Sequence, residues 1–347
     1  MLKDNRLYSE DVEAAARTIE RLGVSQSRIL VTGATGLIGS AVVDVLLKMN
    51  DIFGAGNVVY ATSRSERKAL ERFGERSDLK AVAYDATKEL DFDFPVDYVI
   101  HGASNASPDK YVSAPVDTML SNFLGLFRLM AYAKRVGAKR VLYVSSSEVY
   151  GNKTVLSPFK EDDYGRVDIL NVRSSYAESK RASETLAAAY SAQFGLDTVM
   201  VRPGHVYGPQ AQETDKRISS DFARKAARGQ ELVMKSEGRQ MRSYCHALDA
   251  ATAILTVLVK GERATAYNIS NPDSVITIRE MAEMLAKAGE VPLRFELPNA
   301  AEKAAFNPME NSSLDATRLL ALGWKCHFDA ESGLRRTVQV LKTEEVR

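Results

Sequence analysis

Residues 28–40 read Arg-Ile-Leu-Val-Thr-Gly-Ala-Thr-Gly-Leu-Ile-Gly-Ser, and this stretch decides the fold. Ile29 to Thr32 is a short apolar, β-rich run, the pattern of a buried parallel strand. It leads straight into Gly33, Gly36 and Gly39, and then into Ala41 to Met49, apolar at helical spacing. Strand, glycine-rich turn and helix start in that order make a cradle for a pyrophosphate. Glycine permits the sharp turn and the close backbone approach, while free N–H groups and the positive helix end hold the charge. Three glycines alone would read as a surface loop; in this setting they predict a dinucleotide site.

Upstream, residues 8–22 read as a helix with Ser9 as N-cap and Val12, Ala15, Ala16 and Ile19 on one face. Residues 1–27 are therefore expected to form a helical extension. Downstream, strands at 58–62, 81–84, 96–101, 141–145 and 198–202 alternate with helices at 38–49, 65–73, 117–136 and 176–194. Such alternation predicts an α/β fold, a Rossmann-type doubly wound parallel sheet over residues 28–203. Beyond it the pattern loosens. Helices at 218–228, 247–259, 277–288, 314–321 and 331–342, short apolar runs at 232–235 and 266–269, and a Pro- and Asn-containing stretch at 291–313 suggest a smaller C-terminal α/β domain. Residues 204–347 are expected to bind mainly substrate, with the ligand between this domain and the strand ends.

Among the 347 residues the formal charge is only +1, which argues against a nucleic-acid partner. With 26% charged and 45% apolar residues, the composition is that of an ordinary globule. No apolar run is long enough to cross a membrane, and no signal-peptide core follows Lys3, Asp4 and Arg6, so the cytoplasm is expected. Cys245 and Cys326 lack metal-ligand spacing and read as free thiols; no metal is expected.

The second strand ends Ala61-Thr62-Ser63-Arg64, without the acid that would bind the ribose 2′-hydroxyl of NAD. The choice between NAD⁺ and NADP⁺ tilts to NADP⁺ through Arg64, whose alternative is a solvated side chain. Asp85, after the third strand, is placed to meet the adenine amino group or to cap the next segment. Tyr176 and Lys180, four apart on a helix, share one face. A phenol of pKa about 10 is a poor base at neutral pH, and a neighbouring ammonium favours its phenolate. Ser146, where the fifth strand ends in Ser145-Ser146-Ser147, can bond the same reacting hydroxyl.

Together these residues resemble the extended short-chain dehydrogenases/reductases of the nucleotide-sugar epimerase, dehydratase and decarboxylase group, over residues 28–340. The resemblance rests on Thr32 to Gly39, His101 to Pro108, Asn122, Ser145 to Gly151, Tyr176/Lys180, Arg202 to Pro209 and Leu322-Gly323-Trp324. Two residues between each glycine pair suit this group better than the one-residue first spacing of the dehydrogenase fingerprint. It implies cofactor contacts from Gly33, Thr35, Gly36, Leu37, Ile38, Arg64, Asp85, Ala86, Ala103, Asn122, Tyr176 and Lys180, with the cofactor tightly bound and self-regenerating. Within the group the chain looks most like UDP-glucuronate decarboxylases. Those carry Ser/Thr-Ser-Glu-Val-Tyr-Gly where 4,6-dehydratases carry Thr-Asp-Glu-Val-Tyr-Gly, and this chain has Ser146-Ser147-Glu148.

That likeness implies catalytic roles for Ser146, Ser147, Glu148, Tyr176, Lys180 and Arg242. It implies contacts to a nucleotide-diphosphate sugar from Ser104, Ser107, Arg173, His205, Arg217 and Arg242. Oxidation at C4 turns a C6 carboxylate into a β-keto acid, whose loss of CO₂ needs chiefly enolate stabilisation. Loss of water needs an acid as well, and Ser147 replaces the obvious one. Departures fall on the sugar side: His205 stands for the family's Asn, Gln210 for its Arg, and Gly102 and Asn105 for bulkier or more rigid residues. The alternatives are a 4,6-dehydratase or 4-epimerase, an NADPH-dependent nucleotide-sugar reductase suggested by Arg64, and a non-catalytic dinucleotide sensor. Helices 117–136 and 176–194 carry apolar residues on more than one face and, by the same likeness, form a homodimer interface; alternatively they simply cover the sheet.

Overall fold

The computed structural model describes residues 2–104, 106, 108–153, 157–296, 298 and 309–345. β1 (Arg28–Thr32) lies between β2 (Val58–Ser63) and β4 (Tyr98–His101), with β3 (Leu79–Ala83) outside β2. Beyond β4 come β5 (Arg140–Val144), β6 (Thr198–Pro203) and finally β10 (Thr265–Ile269). Every pairing in this seven-stranded sheet is parallel. The strand order reverses at β1, which opens a crevice past the carboxyl ends of β1 and β4. Ile29, Leu30, Val31, Val141 and Leu142 are fully buried, so these central strands read as unbroken apolar runs rather than alternating ones.

One face is covered by α2 (Leu37–Phe53), α8 (Ala247–Lys260) and the N-terminal α1 (Arg6–Thr18). The other carries α5 (Pro115–Val136) and α6 (Ser175–Phe194), packed along each other. α5 starts ahead of the expected residue 117 because Pro115 suits a first helical turn, and it stops at Gly137, whose φ of 68° is left-handed. α1 also starts early. Its cap is Asn5, whose side chain accepts from the Tyr8 N–H at 3.2 Å, and not Ser9, whose hydroxyl instead accepts from Lys48. The expected helix at 314–321 shortens to α10 (Thr317–Ala321), because Leu314 bridges to Phe159 and Asp315 caps the Thr317 N–H at 2.8 Å.

The chain does not divide at residue 203: α8 and β10 lie beyond it and complete the large sheet and its cover. The remaining C-terminal residues build a second lobe. β9 (Met241–His246) is flanked by β7 (His205–Tyr207), β11 (Val275–Thr277) and the short β13 (Asn311–Ser312). α7 (Ile218–Ala227), α9 (Ile278–Gly289) and α11 (Ala330–Glu345) pack around it, and β8 (Leu232–Met234) pairs with β12 (Leu293–Phe295).

α1 ties the lobes together. Tyr8 donates to the largely buried Asp44 of α2, which also pairs with Arg72 of α3 (Glu66–Phe73); Gln210 donates to the Tyr8 hydroxyl at 3.0 Å. On its other side Asp11 pairs with Arg336 at 3.2 Å, and the Asn5 amide reaches the Val340 carbonyl, both on α11. Burial raises the Asp44 carboxyl, opposed by Arg72 and by the Tyr8 hydrogen bond. Removing one partner of such a buried pair strands the other. Arg72→Met is therefore expected to lower stability by about 3–5 kcal/mol, read from urea unfolding at neutral pH. An unchanged midpoint would show that the cluster bears no load.

Candidate active site

The glycine turn lies at the crevice. Gly33 has a φ of 69°, and a Cβ there would lie 2.8 Å from the Gly102 carbonyl oxygen and 2.9 Å from the Ala103 nitrogen, at the end of β4. Gly39 lets α2 pack onto the Gly33 carbonyl, and Gly36 caps the helix that Leu37 and Ile38 begin. The Ala103 N–H donates to the Thr32 hydroxyl at 3.2 Å. The Thr35 carbonyl accepts from Gln212 at 3.0 Å, so the loop after β7 reaches the turn. A left-handed glycine, a helix start and backbone packed too closely for a side chain fit a bound dinucleotide.

Further along the strand ends, Arg64 is exposed just past β2. Asp85 is engaged by Thr87, whose hydroxyl and N–H donate at 2.7 and 3.0 Å and hold the carboxyl below its usual range. Both bonds fall on Oδ1 and cap the segment that follows β3. Ala86 is buried beneath Gly125 of α5. Asn122 is fully buried and donates to Ser179 at 3.0 Å, joining α5 to α6; its Oδ1 finds no partner among the described residues. The Ser104 hydroxyl is likewise buried without one. Ser107 lies outside the described residues.

β5 delivers Ser146 to the same edge, where it caps the short helical turn Ser147–Tyr150 by accepting from the Glu148 N–H at 3.2 Å. Ser147 is buried beside it. Across from them, Lys180 donates to the Val144 carbonyl at 2.8 Å, and burial pulls its pKa down to about 7. Tyr176 lies one turn earlier, beside Ser146 and Tyr111. Burial pushes its phenol up to about 12 and the Glu148 charge adds to this, while hydrogen bonds from Ser146 and Tyr111 and the Arg217 charge oppose it. The Lys180 nitrogen donates to that carbonyl and stands 5.7 Å from the Tyr176 ring centroid.

The second lobe faces this pair. Arg173, just ahead of α6, binds Glu148 through both guanidinium ends at 3.2 and 3.3 Å, while in the second lobe Arg217 forks onto Asp215, with Nε 3.0 Å from each carboxylate oxygen. Arg242, only 2% exposed, differs from both. It forms no ion pair among the described residues and donates to the Met241 and Glu310 carbonyls at 2.8 and 3.5 Å. Burial lowers its pKa. Arg242 and Tyr244 share a face of β9 by strand alternation, and His205 pairs opposite Tyr244 with ring centroids 5.8 Å apart. The His205 Nδ1 is shut off from solvent with no partner among the described residues.

Two contributors escape a reading of the sequence. Tyr111, on α4 (Pro108–Ser113), stacks on Tyr176, and Tyr244 backs His205. The only local hint for the first is its place just after Ser107-Pro108; for the second, its place two residues beyond Arg242.

A 3-2-1-4-5-6 parallel sheet with a glycine turn at its switch point and a Ser–Tyr–Lys set at the strand ends defines a dinucleotide-dependent enzyme class acting on a hydroxyl or carbonyl carbon. The chain belongs to the NAD dependent epimerase/dehydratase family, whose sequence pattern matches residues 29–270. It is 33% identical over 312 residues to UDP-glucuronic acid decarboxylase 6 of Arabidopsis thaliana, covering 89% of this chain and 87% of that one. To UDP-glucuronic acid decarboxylase 1 of Danio rerio it is 30% identical over 322 residues, covering 92% and 73%. Its fold is shared with UDP-glucose 4-epimerase of Thermotoga maritima (TM-score 0.77, 22% identity, 92% and 99% covered). The dTDP-glucose 4,6-dehydratase DesIV of Streptomyces venezuelae shares it as well (0.77, 24%, 92% and 98%).

Burial, with Arg242 and Arg217 adding, pulls the His205 imidazole down to about 3. An unfolded histidine titrates near 6.5, so between about 6.5 and 3 the unfolded chain holds the extra proton. Stability contributed by neutral His205 is thus present above about 6.5 and lost as pH falls. Asp11 and Asp249, which burial raises to about 6, act with the opposite sign, so the comparison must be residue by residue. His205→Asn should flatten the stability–pH slope below pH 6.5 by up to about 1.4 kcal/mol per pH unit, measured by urea unfolding at several pH values. An identical slope in both proteins would mean that His205 is protonated in the fold.

Proposed function

We propose that this enzyme oxidises C4 of a nucleotide-diphosphate-linked hexuronic acid, most simply UDP-glucuronate, decarboxylates it and returns the hydride. The observation that carries this reading is Arg242, a buried cation without a carboxylate partner among the described residues, on the lobe facing Tyr176. A guanidinium so placed favours an anion, either the substrate carboxylate or the enolate left by CO₂. The names of the relatives support the same chemistry, and Ser147 stands where dehydratases hold an acid. Bound NAD⁺ or NADP⁺ supplies the hydride acceptor. In this reading Gly33, Thr35, Gly36, Leu37, Ile38 and Ala103 hold the cofactor, with Ala86 and Asn122 packing the helix beneath it, and Arg64 favours a 2′-phosphate.

Tyr176 takes the C4 hydroxyl proton and gives it back, with Ser146 on the same oxygen. Lys180 stands behind the phenol, held by the Val144 carbonyl. Arg242 and Ser146 stabilise the enolate before a proton is delivered to C5. Glu148 holds Arg173 in place, and Ser104, His205 and Arg217 contact the sugar diphosphate. We assign the reaction to the cytoplasm, whose reducing conditions suit two free cysteines.

Incubation with UDP-glucuronate should release CO₂ and form a UDP-pentose without consuming added NAD(P)H. A 4-keto-6-deoxy product, an epimer of unchanged mass or stoichiometric NADPH oxidation would each overturn the assignment. Arg242→Gln should lower kcat by about 10²–10³-fold while cofactor content stays unchanged.

We also propose a homodimer through α5 and α6. Val116, Met119, Leu120, Phe123 and Phe127 form an exposed apolar stripe along α5, and Val116 is 65% exposed. Light scattering should give twice the chain mass, and the double variant Phe123→Asp/Phe127→Asp should give a monomer. A monomeric parent protein would remove the proposal.

A further inference from the structure

We propose that Tyr111 is a positioning residue for the catalytic phenol: its ring lies flat on Tyr176 and braces it. The proposal rests on the assignment of Tyr176 as the proton carrier. The two ring centroids are 4.4 Å apart with planes only 11° from parallel, and Tyr111 is 5% exposed. Stacking at that separation holds the Tyr176 ring in place, and the Tyr111 hydroxyl acts on the Tyr176 phenol as a hydrogen-bonding group that favours its ionised form. Its own position is pinned twice. Ser175, the residue before Tyr176, donates its hydroxyl to the Tyr111 carbonyl at 3.1 Å, and the Arg173 guanidinium carbon stands 5.9 Å from the Tyr111 ring centroid. α4 is thereby coupled to the start of α6 from both main chain and side chain.

The consequence is chemical as well as steric. Of the two phenols, only Tyr176 has Ser146 at its oxygen, so Tyr176 is the one that ionises and Tyr111 the one that donates. Burial, with the nearby charges of Tyr176 and Glu148, drives the Tyr111 phenol above the usual tyrosine range, which keeps it a donor. The groups facing Tyr176 are Tyr111 from α4, Ser146 and Glu148 from the turn after β5, Tyr143 from β5, Lys180 from its own helix and Arg217 from the segment before α7. Among these, Tyr111 alone combines a stacked ring with a neutral hydrogen-bond donor, so removing its hydroxyl changes the ionisation of Tyr176 without altering net charge.

The test titrates the Tyr176 phenol by carbon NMR of labelled tyrosine Cζ in the cofactor-loaded protein, the resonance being identified by its loss in Tyr176→Phe. Tyr111→Phe keeps the stack and removes the donor. It should raise the Tyr176 pKa by about one unit, and move the acidic limb of the kcat–pH profile upward with it. Tyr111→Leu loses the stack too and should lower kcat further than Tyr111→Phe does, with cofactor content and melting temperature checked for both. An unmoved Tyr176 resonance in Tyr111→Phe, or a rise in KM with an unmoved profile, would overturn the proposal while leaving Tyr176 as the carrier. Full activity in Tyr176→Phe would instead bring down the underlying assignment. The NMR arm separates the two failures, because it needs no substrate.

Discussion

A buried ammonium must have an acceptor, and Lys180 has one in the Val144 carbonyl at the end of β5, at 2.8 Å. That bond fixes how α6 lies on the carboxyl edge of the sheet. Tyr176, one turn earlier on the same face, is carried by it to Ser146, the second residue past β5. The bond from Asn122 to Ser179 then braces α6 against α5 from within. Where the phenol, the serine and the glycine turn meet therefore follows from one cation that cannot be left unsatisfied.

The distribution of charge around the phenol follows similar logic. Arg173 and Arg217 each hold a carboxylate through two contacts, so much of their field is already spent. Among the described residues Arg242 donates only to carbonyls, so its guanidinium, which feels Glu148 and Tyr244 without pairing to either, can meet an incoming anion. His205 sits beside it as a neutral imidazole, since a second cation there would be repelled as well as desolvated. The lobes that carry these two sets are joined at several points: Gln212 on Thr35, Gln210 on Tyr8, and Asp11 on Arg336. Gln210 occupies the place where the family commonly carries arginine, and here its amide is turned to the N-terminal helix instead.

Much of this was legible in the chain because its causes are local. The strand run at Ile29–Thr32, the glycines after it and the four-residue step from Tyr176 to Lys180 depend on a few neighbouring residues, and each appears as expected. The extent of α5 could have been read from Pro115 and Gly137. Other features depend on distant partners. Ser9 has a suitable side chain for a cap, but the helix begins at Asn5, whose amide is also held by Val340 at the far end of the chain. Thr265–Ile269 reads as a short apolar run of no particular allegiance until it pairs with β6. The bond from the Thr87 hydroxyl to Asp85 likewise appears only once the segment after β3 has folded.

By itself, then, the sequence determined the parallel sheet, the glycine turn after β1 and the helical step that sets Tyr176 and Lys180 on one face, because backbone propensity and helical periodicity act over a few residues. Only the tertiary structure decided which groups are charged and which are free. Burial raises the Tyr176 phenol; pairing separates Arg173 and Arg217 from Arg242; and Tyr111 stacks on Tyr176 across 65 residues of chain. Desolvation and pairing depend on everything within a few ångströms, and what lies within a few ångströms is known only once the chain has folded.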